Sequence, residues 1–546
     1  MFWNIDIMAE AYDAVIVGAG FAGIYQLYRL RKLGLRCLVI DQAGDVGGTW
    51  YWNLYPGAMS DTESYVYRFS WDKDDLASYH WGEHYVKQPD VLAYLEHVVE
   101  RHDLRRDMRF ETQLVGANWS DDETWDLKVS SGTGRLRCRY LITGLGLLSK
   151  QNYPDIPGLD SFQGELHHTA KWPKGLDLTG KRVGVVGCGS TGVQVITDIA
   201  KRVQHLICFQ RHPQYSVPSG DKPVTPEYRK WVNENYDAIW EQVRNSVTAF
   251  GFKESKISYH DATPEERERI FQENWDKGNG FRFMFGTFND IATDPEANEA
   301  ACEFIRRKID TIVKDPEKAR KLKPYDVYAR RPLCDGQARG EGYYEQFNRP
   351  NVDIVDLKET PIVSVVQQGV KTSDEQVHKL DVLIFATGFD AVEGNYTRIA
   401  IQGRDGVTLK EAWDEPGPTS YLGMVMPGFP NFFSISGPKG PFTNNPPGVE
   451  TQVEFISDAI EAAERAGAGN PVPIEAEQEA EREWSRLCEE VAAGSLFWKA
   501  EVGAWQGRGC ADNVVIHAYG TATRTTGSLA PTFLARNAVC AFSSVA

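Results

Sequence analysis

Two glycine-rich turns of the same kind constrain this chain more than any other feature of its sequence. Residues 18–23 read G-A-G-F-A-G, follow the β-branched run at 14–17 and precede helical spacing at 24–32. Residues 187–192 read G-C-G-S-T-G and follow the strand pattern at 182–186, and their first glycine lies 169 residues after that of the first copy. Such glycines permit a tight turn, close approach of a pyrophosphate and packing of helix on strand. The sequence therefore predicts two dinucleotide-binding units.

The residue that ends the second strand of each unit differs between the two copies. Asp41 lies 21 residues after Gly20, where a carboxylate accepts hydrogen bonds from ribose hydroxyls and repels a 2′-phosphate, which favours FAD. Arg211 occupies the equivalent position of the second unit, and a guanidinium there suits the 2′-phosphate of NADPH. The alternative for Arg211 is an ordinary surface arginine. The contacts predicted at the turns are Gly18, Gly20, Phe21 and Gly23 for FAD, and Gly187, Gly189, Ser190, Thr191 and Gly192 for NADPH.

Charge and cysteine usage exclude several classes of protein. The net charge of −17 argues against non-specific nucleic-acid binding, which needs clustered Lys and Arg. The nine cysteines form no C-x-x-C pair, which argues against a disulfide framework, a structural zinc site and the redox pair of a disulfide reductase. We therefore expect no metal and a reducing cytoplasm. No apolar run approaches the length of a membrane span, and the N-terminus lacks the pattern of a signal peptide.

Length and motif order predict the domain organisation. At roughly 100–200 residues per domain, 546 residues correspond to about three domains. The expected fold is α/β, with two Rossmann-like dinucleotide-binding domains, for FAD and NADP, and a helical insertion. The predicted segments are 8–150 and 388–505 for the two parts of the FAD-binding domain, 151–224 and 331–387 for the two parts of the NADP-binding domain, 225–330 for the helical insertion, and 506–546 for a divergent tail.

A third motif lies just before the second glycine-rich turn. Residues 162–173 read F-Q-G-E-L-H-H-T-A-K-W-P. The pattern F-x-G-x-x-x-H-x-x-x-W-P is formed by Phe162, Gly164, His168, Trp172 and Pro173. This motif resembles the fingerprint of the Baeyer–Villiger monooxygenase family, whereas related N-oxygenating flavin monooxygenases have a similar motif without the Trp-Pro ending. The resemblance to the family runs from about residue 12 to about residue 505.

Further segments resemble the same family. They are residues 47–53 and 55–61, which look like the family's segment beside the flavin, residues 328–335, which look like the segment with its active-site arginine, and residues 280–288 and 440–444, which are similar to the cyclohexanone monooxygenase branch. A strand pattern that ends in Ala-Thr-Gly at residues 386–388 suits either close passage of a cofactor or an ordinary turn. The additional cofactor contacts predicted in this way are Gly48, Thr49, Trp50, Asp61, Arg330, Thr387, Gly388 and Trp505.

The resemblance implies a reaction and two catalytic residues. Members of the family use FAD and NADPH to insert one atom of O2 into a ketone, which gives an ester or a lactone. Arg331 matches the family's active-site arginine and supplies a permanent positive charge for the oxyanion that develops, because arginine does not deprotonate in proteins. Asp61 matches the aspartate that pairs with it, although a plain structural ion pair is the alternative. Arg330 replaces the family's usual lysine beside the 2′-phosphate and keeps a positive charge there.

For two sets of residues, the sequence allows more than one interpretation. His168 is interpreted as a structural or hinge residue rather than an acid or base, with its loop coupling domain movement to turnover, and Trp172 as a packing residue. The predicted substrate pocket contains Leu145, Phe283, Phe285, Phe442 and Thr443, although the apolar members suit core positions equally well. An apolar pocket and the similarity to the cyclohexanone branch predict a cyclic ketone, such as cyclohexanone, as substrate.

Two departures from the family pattern leave other functions open. Residues 336–341 form an extra polar and glycine-rich stretch that we expect to loop outward. After about Trp505 the tail no longer matches, either because it has diverged or because the reading frame has changed. The alternatives are an N- or S-oxygenating flavin monooxygenase and an uncoupled or inactive flavin-binding relative. We expect a monomer or weak oligomer whose partners are a small ketone and O2, with no nucleic acid and no membrane.

Overall fold

Strands and helices alternate along the chain, which the computed structural model describes over residues 9–132, 134–328, 333–334, 341–390, 393–440, 443–467 and 472–496. The strands are β1 (Glu10–Val17), β2 (Cys37–Ile40), β3 (Met108–Arg109), β4 (Leu114–Trp119), β5 (Trp125–Val129), β6 (Arg135–Thr143), β7 (Lys150–Gln151), β8 (Glu165–His168), β9 (Arg182–Val186), β10 (His205–Gln210), β11 (Ser216–Val217), β12 (Leu333–Cys334), β13 (Val352–Asp356), β14 (Ile362–Val366), β15 (Gly369–Thr372), β16 (Val377–Lys379), β17 (Val382–Phe385), β18 (Phe389–Asp390), β19 (Ala400–Gln402) and β20 (Phe432–Ser434). The α-helices are α1 (Phe21–Lys32), α2 (Thr49–Trp52), α3 (Lys73–Ser78), α4 (Gln88–Arg101), α5 (Ser190–Ile199), α6 (Pro226–Arg244), α7 (Pro264–Lys277), α8 (Gly280–Gly286), α9 (Pro295–Ile312), α10 (Pro316–Leu322), α11 (Tyr343–Gln346), α12 (Glu393–Tyr396), α13 (Leu409–Ala412), α14 (Asn445–Ala466) and α15 (Gln478–Ala493).

The first glycine-rich turn belongs to an eight-stranded sheet. Its strands follow the order β19-β4-β5-β6-β1-β2-β3, and β20 also pairs with β6. Strand β1 lies between β2 and β6 and is parallel to both, so that Val15 is opposite Leu38 on one side and Leu141 on the other. Residues 14–17 are buried, which explains their continuous apolar run, because a central parallel strand is covered on both faces.

The second glycine-rich turn belongs to a separate sheet of five parallel strands. The order is β13-β10-β9-β17-β8, with β9 between β10 and β17. The turn follows β9, and helix α5 continues from it. The α/β class predicted for the chain, with two dinucleotide-binding domains, is confirmed. The helix predicted from residue 24 in the first unit begins earlier, at Phe21.

The chain passes between the two sheets twice, and the two crossings lie side by side. Strand β7 on the outward crossing pairs antiparallel with β18 on the return crossing. The amide of Asn152 also donates a hydrogen bond to the carbonyl oxygen of Gly388 at 3.0 Å. The predicted boundary at 150–151 falls on β7, and the predicted boundary at 387–388 falls just before β18. Any rotation of one sheet relative to the other must bend this paired ribbon.

Helices α6 to α10 form the insertion that follows β11. Four of them begin with proline after a capping side chain, as in α7, where Thr263 and Glu266 cap each other's backbone amides. Phe271 and Phe304 of this insertion share one apolar core with the five-stranded sheet. None of the helices within the described ranges combines the length and the apolar composition needed to cross a bilayer.

Helix α14 packs against α1 beneath the first sheet and buries a carboxyl group there. Gln26 of α1 donates to Ser457 of α14 at 3.0 Å. Glu450, which is only 7% exposed, accepts hydrogen bonds from the amide and the hydroxyl of Ser70, both at 2.5 Å. Burial raises the pKa of Glu450 to about 7, although the hydrogen bonds from Ser70 oppose that shift.

We expect Glu450 to make the stability of the protein fall as pH rises. Because its folded-state pKa lies above the ordinary value of 4.5, its stabilising contribution is full below that value and is lost as pH rises through about 7. The change amounts to about 3 kcal/mol. Melting temperatures of wild type and Glu450→Gln from pH 5 to 8 check this. We expect the melting temperature of wild type to fall relative to that of the variant as pH rises. A constant difference across that range contradicts it, and Glu461→Gln on the same helix, whose carboxylate pairs with Arg465, is the control.

Candidate active site

The two glycine-rich turns have matching geometry. Gly18 and Gly187 adopt positive φ angles of +110° and +102°, where a Cβ would lie 2.4 Å from the carbonyl oxygen of Gly144 and 2.6 Å from that of Ala386. The third glycines, Gly23 and Gly192, leave no room for a side chain, because a Cβ would lie 1.8 and 2.2 Å from the carbonyl oxygens of Gly18 and Gly187. Each turn therefore presses its helix onto its strand and leaves backbone amides at the helix N-terminus for a phosphate.

Asp41 braces the first turn from the end of β2. Its carboxylate accepts hydrogen bonds from the amides of Ala19 at 2.7 Å and Ala43 at 2.8 Å. Burial raises the pKa of Asp41, and these two backbone bonds oppose the rise. Each carboxylate oxygen has more than one lone pair, so the group can also accept a ribose hydroxyl. The sequence predicted the ribose contact but not the bracing of Ala19.

A second loop closes over the first turn. A Cβ on Gly48 would lie only 2.9 Å from the Cα of Gly20, so two predicted cofactor segments meet there. Exposed Thr49 opens α2 beside them, and the buried ring of Trp50 lies 5.8 Å from that of Tyr67. The aromatic lining extends to Phe21, which packs edge-on against Tyr67 at 5.6 Å and against Phe69 at 5.1 Å. Tyr67 and Phe69 were missed from the sequence, because nothing in their local spacing separates them from core residues.

Asp61 is buried behind this loop, with 5% of its surface exposed. Its backbone carbonyl accepts a hydrogen bond at 3.0 Å from the side-chain amide of Asn279, which lies in the helical insertion. The predicted pairing of Asp61 with the catalytic arginine stays a prediction. Arg330, Arg331, Phe442, Trp505 and the tail at 506–546 lie outside the described residues.

The second turn leaves open space where the pyrophosphate of a bound dinucleotide would lie. Among the described residues, apart from its chain neighbours, no atom lies within 4 Å of a Cβ built on Gly189, whose φ is an ordinary −69°. Ser190 and Thr191 follow as the first residues of α5. Arg211 directly follows β10 and is exposed, and its guanidinium has no ion-pair partner within the part of the chain that the structure describes. This arrangement fits a dinucleotide with a 2′-phosphate.

Gly189→Ala is expected to impair nucleotide binding without impairing folding. We expect the variant to fold and to keep its melting temperature, because the added methyl group meets no atom of the surrounding described residues. We expect its KM for NADPH to rise by about tenfold, equivalent to ~1.4 kcal/mol, because the methyl group fills the space for the pyrophosphate. Steady-state kinetics and thermal melting check both effects. The comparison variant Gly187→Ala, at φ +102°, should instead lose stability, and an unchanged KM in Gly189→Ala contradicts the placement.

The fingerprint motif lies against the two chain crossings. His168 is 1% exposed at the end of β8, and its ring packs 5.0 Å from Tyr153 and 6.1 Å from Phe389. Its Nδ1 accepts the amide of Ala170 at 3.1 Å. Burial lowers the pKa of His168, which favours the neutral ring, and nearby backbone of the crossings opposes the shift. This placement supports the structural interpretation of His168, which stays a prediction.

The other fingerprint residues surround the same region. Half-buried Phe162 packs beside the five-stranded sheet, and a Cβ on Gly164 would lie 2.5 Å from the carbonyl oxygen of Asp381. Trp172 is mostly buried in the core, and together with exposed Pro173 it lines a groove of about 590 Å³ between α4 and α5. Thr387 donates to the carbonyl oxygen of Asn152 at 2.5 Å. Thr387 and Gly388 therefore lie in the crossing ribbon, next to the second glycine-rich turn.

The predicted pocket residues divide between two environments. Phe250, Phe252 and Phe281 form a small apolar cluster, with the rings of Phe250 and Phe281 stacked at 4.1 Å, and half-buried Phe285 packs against it. Phe283 points the other way into the large core, where its ring stacks on that of Phe271 at 5.6 Å. Phe250 and Phe252 were missed from the sequence, where only the short A-F-G-F repeat of an aromatic residue hints at them.

The remaining two pocket candidates lie on the other side. Leu145 is half-buried against the first sheet, and Thr443 is half-buried just before α14. Next to it, Asn444 donates from its side-chain amide to the carbonyl oxygens of Val66 at 2.8 Å and Ala249 at 3.1 Å. Its own Oδ1 is buried and has no hydrogen-bond donor among the described residues.

Comparisons with known proteins agree with this geometry. The family model described as pyridine nucleotide-disulphide oxidoreductase matches residues 15–274. A Baeyer–Villiger monooxygenase from Pseudooceanicola batsensis is 50% identical over 500 residues, which cover 91% of this chain and 90% of that protein. The phenazine N-monooxygenase PhzNO1 from Lysobacter antibioticus is 49% identical over 499 residues, which cover 91% of this chain and 90% of that protein.

A solved structure matches the fold closely. The crystal structure of a cyclohexanone monooxygenase from Rhodococcus sp. Phi1, bound to NADP+, has a TM-score of 0.88 and 50% sequence identity to this chain. The match covers 95% of this chain and 98% of that one. Both glycine-rich turns and the fingerprint region lie within the residues that the family model matches.

Proposed function

This chain belongs to the Baeyer–Villiger monooxygenase family, and from that premise we propose that it uses NADPH and O2 to convert ketones to esters, with cyclic ketones giving lactones. The observation that carries this proposal is the 50% identity to a Baeyer–Villiger monooxygenase over nine-tenths of the chain. The fingerprint at residues 162–173 and the two dinucleotide turns support it. FAD is the cofactor of the first turn, and NADPH is the cofactor of the second.

The chain's own residues bind and orient the two cofactors. Bound FAD supplies the oxygen chemistry, with hydride from NADPH. The amides of the first turn and the braced carboxylate of Asp41 hold the adenosine and pyrophosphate end of FAD. Arg211 pairs with the 2′-phosphate of NADPH, which distinguishes it from NADH. Arg331 supplies a permanent cation that stabilises the oxyanion formed during oxygen transfer to the ketone.

The aromatic cluster at the insertion gives the site its preference for apolar substrates. Phe250, Phe252 and Phe281 are buried and pack on one another, and half-buried Phe285 lies against them. Such a wall excludes water and leaves few hydrogen bonds to a substrate apart from those at its carbonyl oxygen. A saturated ring ketone, which has one polar atom and an apolar body, suits this site.

Oxygenation at nitrogen is the second candidate function. The relative named phenazine N-monooxygenase is 49% identical to this chain, nearly the same value as the relative named for Baeyer–Villiger oxidation. Overall similarity therefore does not separate a ketone from a flat nitrogen heterocycle. The Trp172-Pro173 ending of the fingerprint and the arginine at 331 favour the ketone, because a basic nitrogen is oxidised without an oxyanion that needs a fixed cation.

A substrate panel distinguishes these functions. The purified flavin-loaded protein is supplied with NADPH and, in separate reactions, cyclohexanone, an open-chain ketone and phenazine, and products are identified by mass spectrometry. We expect lactone from cyclohexanone and slower ester formation from the open-chain ketone. Phenazine N-oxide with no lactone supports the second candidate and overturns the first. NADPH oxidation that yields only hydrogen peroxide with every compound overturns both and supports an uncoupled enzyme.

A further inference from the structure

Asn279 connects the helical insertion to the loop that contains Asp61. It precedes α8 and is 2% exposed. Its side-chain amide donates to the carbonyl oxygen of Asp61 at 3.0 Å and to the hydroxyl of Tyr85 at 2.9 Å. Its Oδ1 accepts the amide of Arg282 at 3.1 Å and so caps α8. Both polar atoms of this side chain are therefore used, and the two bonds from its nitrogen reach residues outside the insertion.

The backbone of Asn279 has an unusual conformation that is held by a hydrogen bond. Its φ is +77° and its ψ is +115°, a combination that non-glycine residues rarely adopt. The amide of Asn279 donates to the carbonyl oxygen of Pro218 at 2.8 Å, which holds the turn in place. A strained conformation of this kind persists only where the surrounding structure over-determines it, and such positions concentrate at functional sites.

A second bond from α8 reaches the same loop. Arg282 forms an ion pair with Glu63, which lies two residues beyond Asp61. The Glu63 side chain is 13% exposed, and its other oxygen accepts from the hydroxyl of Tyr228 at 3.4 Å. Helix α8 thus holds residues 61–63 at two points, through an uncharged amide and through a mostly buried ion pair.

Helix α8 also forms part of the aromatic cluster, and the guanidinium of Arg282 lies 5.3 Å from the ring of Phe252. Phe281 stacks on Phe250 at 4.1 Å, and Phe285, one turn later on the same face, packs against that cluster. One short helix therefore contacts both the apolar wall and the loop with the buried carboxylate. A shift of α8 cannot change one of these contacts without changing the other.

We propose that Asn279 is a positioning residue for oxygen transfer, which fixes the Asp61 loop relative to the aromatic wall through its hydrogen bond to the Asp61 carbonyl. The inference rests on the proposed function and on the pairing of Asp61 with Arg331 that the family resemblance implies. An active-site group must be held to within about 0.5 Å of its productive place, and a misplacement of about 1 Å can cost on the order of 100-fold in rate. A side-chain amide donated across a domain interface supplies that support.

Two substitutions of Asn279 distinguish the loss of its side-chain N–H donor from the loss of its cap on α8. Asn279→Gly suits the positive φ and removes both donated bonds together with the cap of α8. Asn279→Asp keeps an oxygen that caps Arg282 but places a carboxylate oxygen against the Asp61 carbonyl, so the donor is lost. A defect that both variants share therefore belongs to the donor and not to the cap. Tyr85→Phe is the matched control, because it removes the other acceptor of the same amide and leaves the bond to Asp61.

Turnover is the first measurement. We expect kcat for ester formation to fall by about 10- to 100-fold in both Asn279 variants, and the share of NADPH that ends as hydrogen peroxide to rise. The KM for NADPH should stay within about twofold of wild type, since none of the hydrogen-bond partners of Asn279 among the described residues belongs to the second glycine-rich turn or adjoins Arg211. Tyr85→Phe should keep its kcat within about twofold. Equal losses in Tyr85→Phe and the Asn279 variants overturn the proposal.

Hydrogen–deuterium exchange on the flavin-loaded proteins is the second measurement, and it does not depend on activity. We expect backbone exchange at residues 60–64 to quicken severalfold in both Asn279 variants and to stay unchanged in Tyr85→Phe. Unchanged exchange there in both variants overturns the proposal, whatever the rates are. If wild type itself forms no ester, the proposed function fails, and the exchange result still decides whether Asn279 fixes the Asp61 loop.

Discussion

Arg331→Ala is expected to lower kcat for ester formation by at least about 10²–10³-fold while FAD stays bound. The guanidinium is the permanent cation of the proposed mechanism, and no other group in the chain is predicted to replace it beside the oxyanion. In the proposed arrangement FAD is held by the first glycine-rich turn, Asp41 and the loop at Gly48, whose contacts are formed among described residues that do not include Arg331. Product formation and the flavin-to-protein ratio from the visible spectrum measure the two effects separately.

Two neighbouring variants control for loss of charge. Arg331→Lys keeps a positive charge without the planar fork of the guanidinium, so we expect part of the activity to return. Arg330→Ala removes an adjacent charge that is predicted to contact the 2′-phosphate, so it should raise the KM for NADPH and leave kcat nearly unchanged. Ester formation above a tenth of the wild-type rate in Arg331→Ala contradicts the assigned role.

Arg211→Ala should raise the KM for NADPH by about 10- to 100-fold and leave the KM for NADH nearly unchanged. A charge-assisted hydrogen bond contributes about 1.5–3 kcal/mol, and only NADPH has the 2′-phosphate that receives it. The side chain is exposed directly after β10, so its removal should not disturb folding. The ratio of kcat/KM for the two nucleotides is the measurement.

Arg202→Ala is the matched control for that experiment. Arg202 is also exposed and belongs to the same domain, but it pairs with Asp198 at 2.7 Å, away from the end of β10. We expect it to leave both nucleotides unaffected. If Arg211→Ala weakens NADPH and NADH equally, the arginine does not recognise the phosphate.

The fold could be predicted from sequence because its decisive features are local. Each glycine-rich turn needs its glycines for backbone reasons that act within a few residues, such as the positive φ of Gly18 and the contact between Gly23 and the Gly18 carbonyl. The apolar strand before each turn and the helix after it complete a unit that can be recognised without long-range information. The same locality revealed Asp41 and Arg211, since each ends the second strand of its unit.

The other residues of the candidate site could not be identified from the sequence, because contacts between distant segments bring them together. Phe283 and Phe285 are two positions apart on α8, so they face different directions, and sequence could not tell which face meets the pocket. Asn279 and Asn444 act through carbonyl groups of segments hundreds of residues away along the chain. Carbonyl acceptors are present at every residue, so no pattern in the sequence marks the ones that these amides reach.

The role of His168 could be predicted from the sequence only in part. The fingerprint identified the residue, and its type left both a catalytic and a hinge role open. The structure adds that its ring is buried against Tyr153 and Phe389, where the two chain crossings pair. That position explains how a residue of the motif can influence both dinucleotide domains through packing alone.

Isotope labelling tests the central claim most directly. The flavin-loaded enzyme is given cyclohexanone and NADPH under 18O2 in unlabelled water, and the mass of the product and the NADPH consumed are measured together. We predict ε-caprolactone with one 18O atom in the ring and one NADPH oxidised per lactone. The absence of lactone, or a lactone without the label, contradicts the assignment of this chain as a ketone monooxygenase.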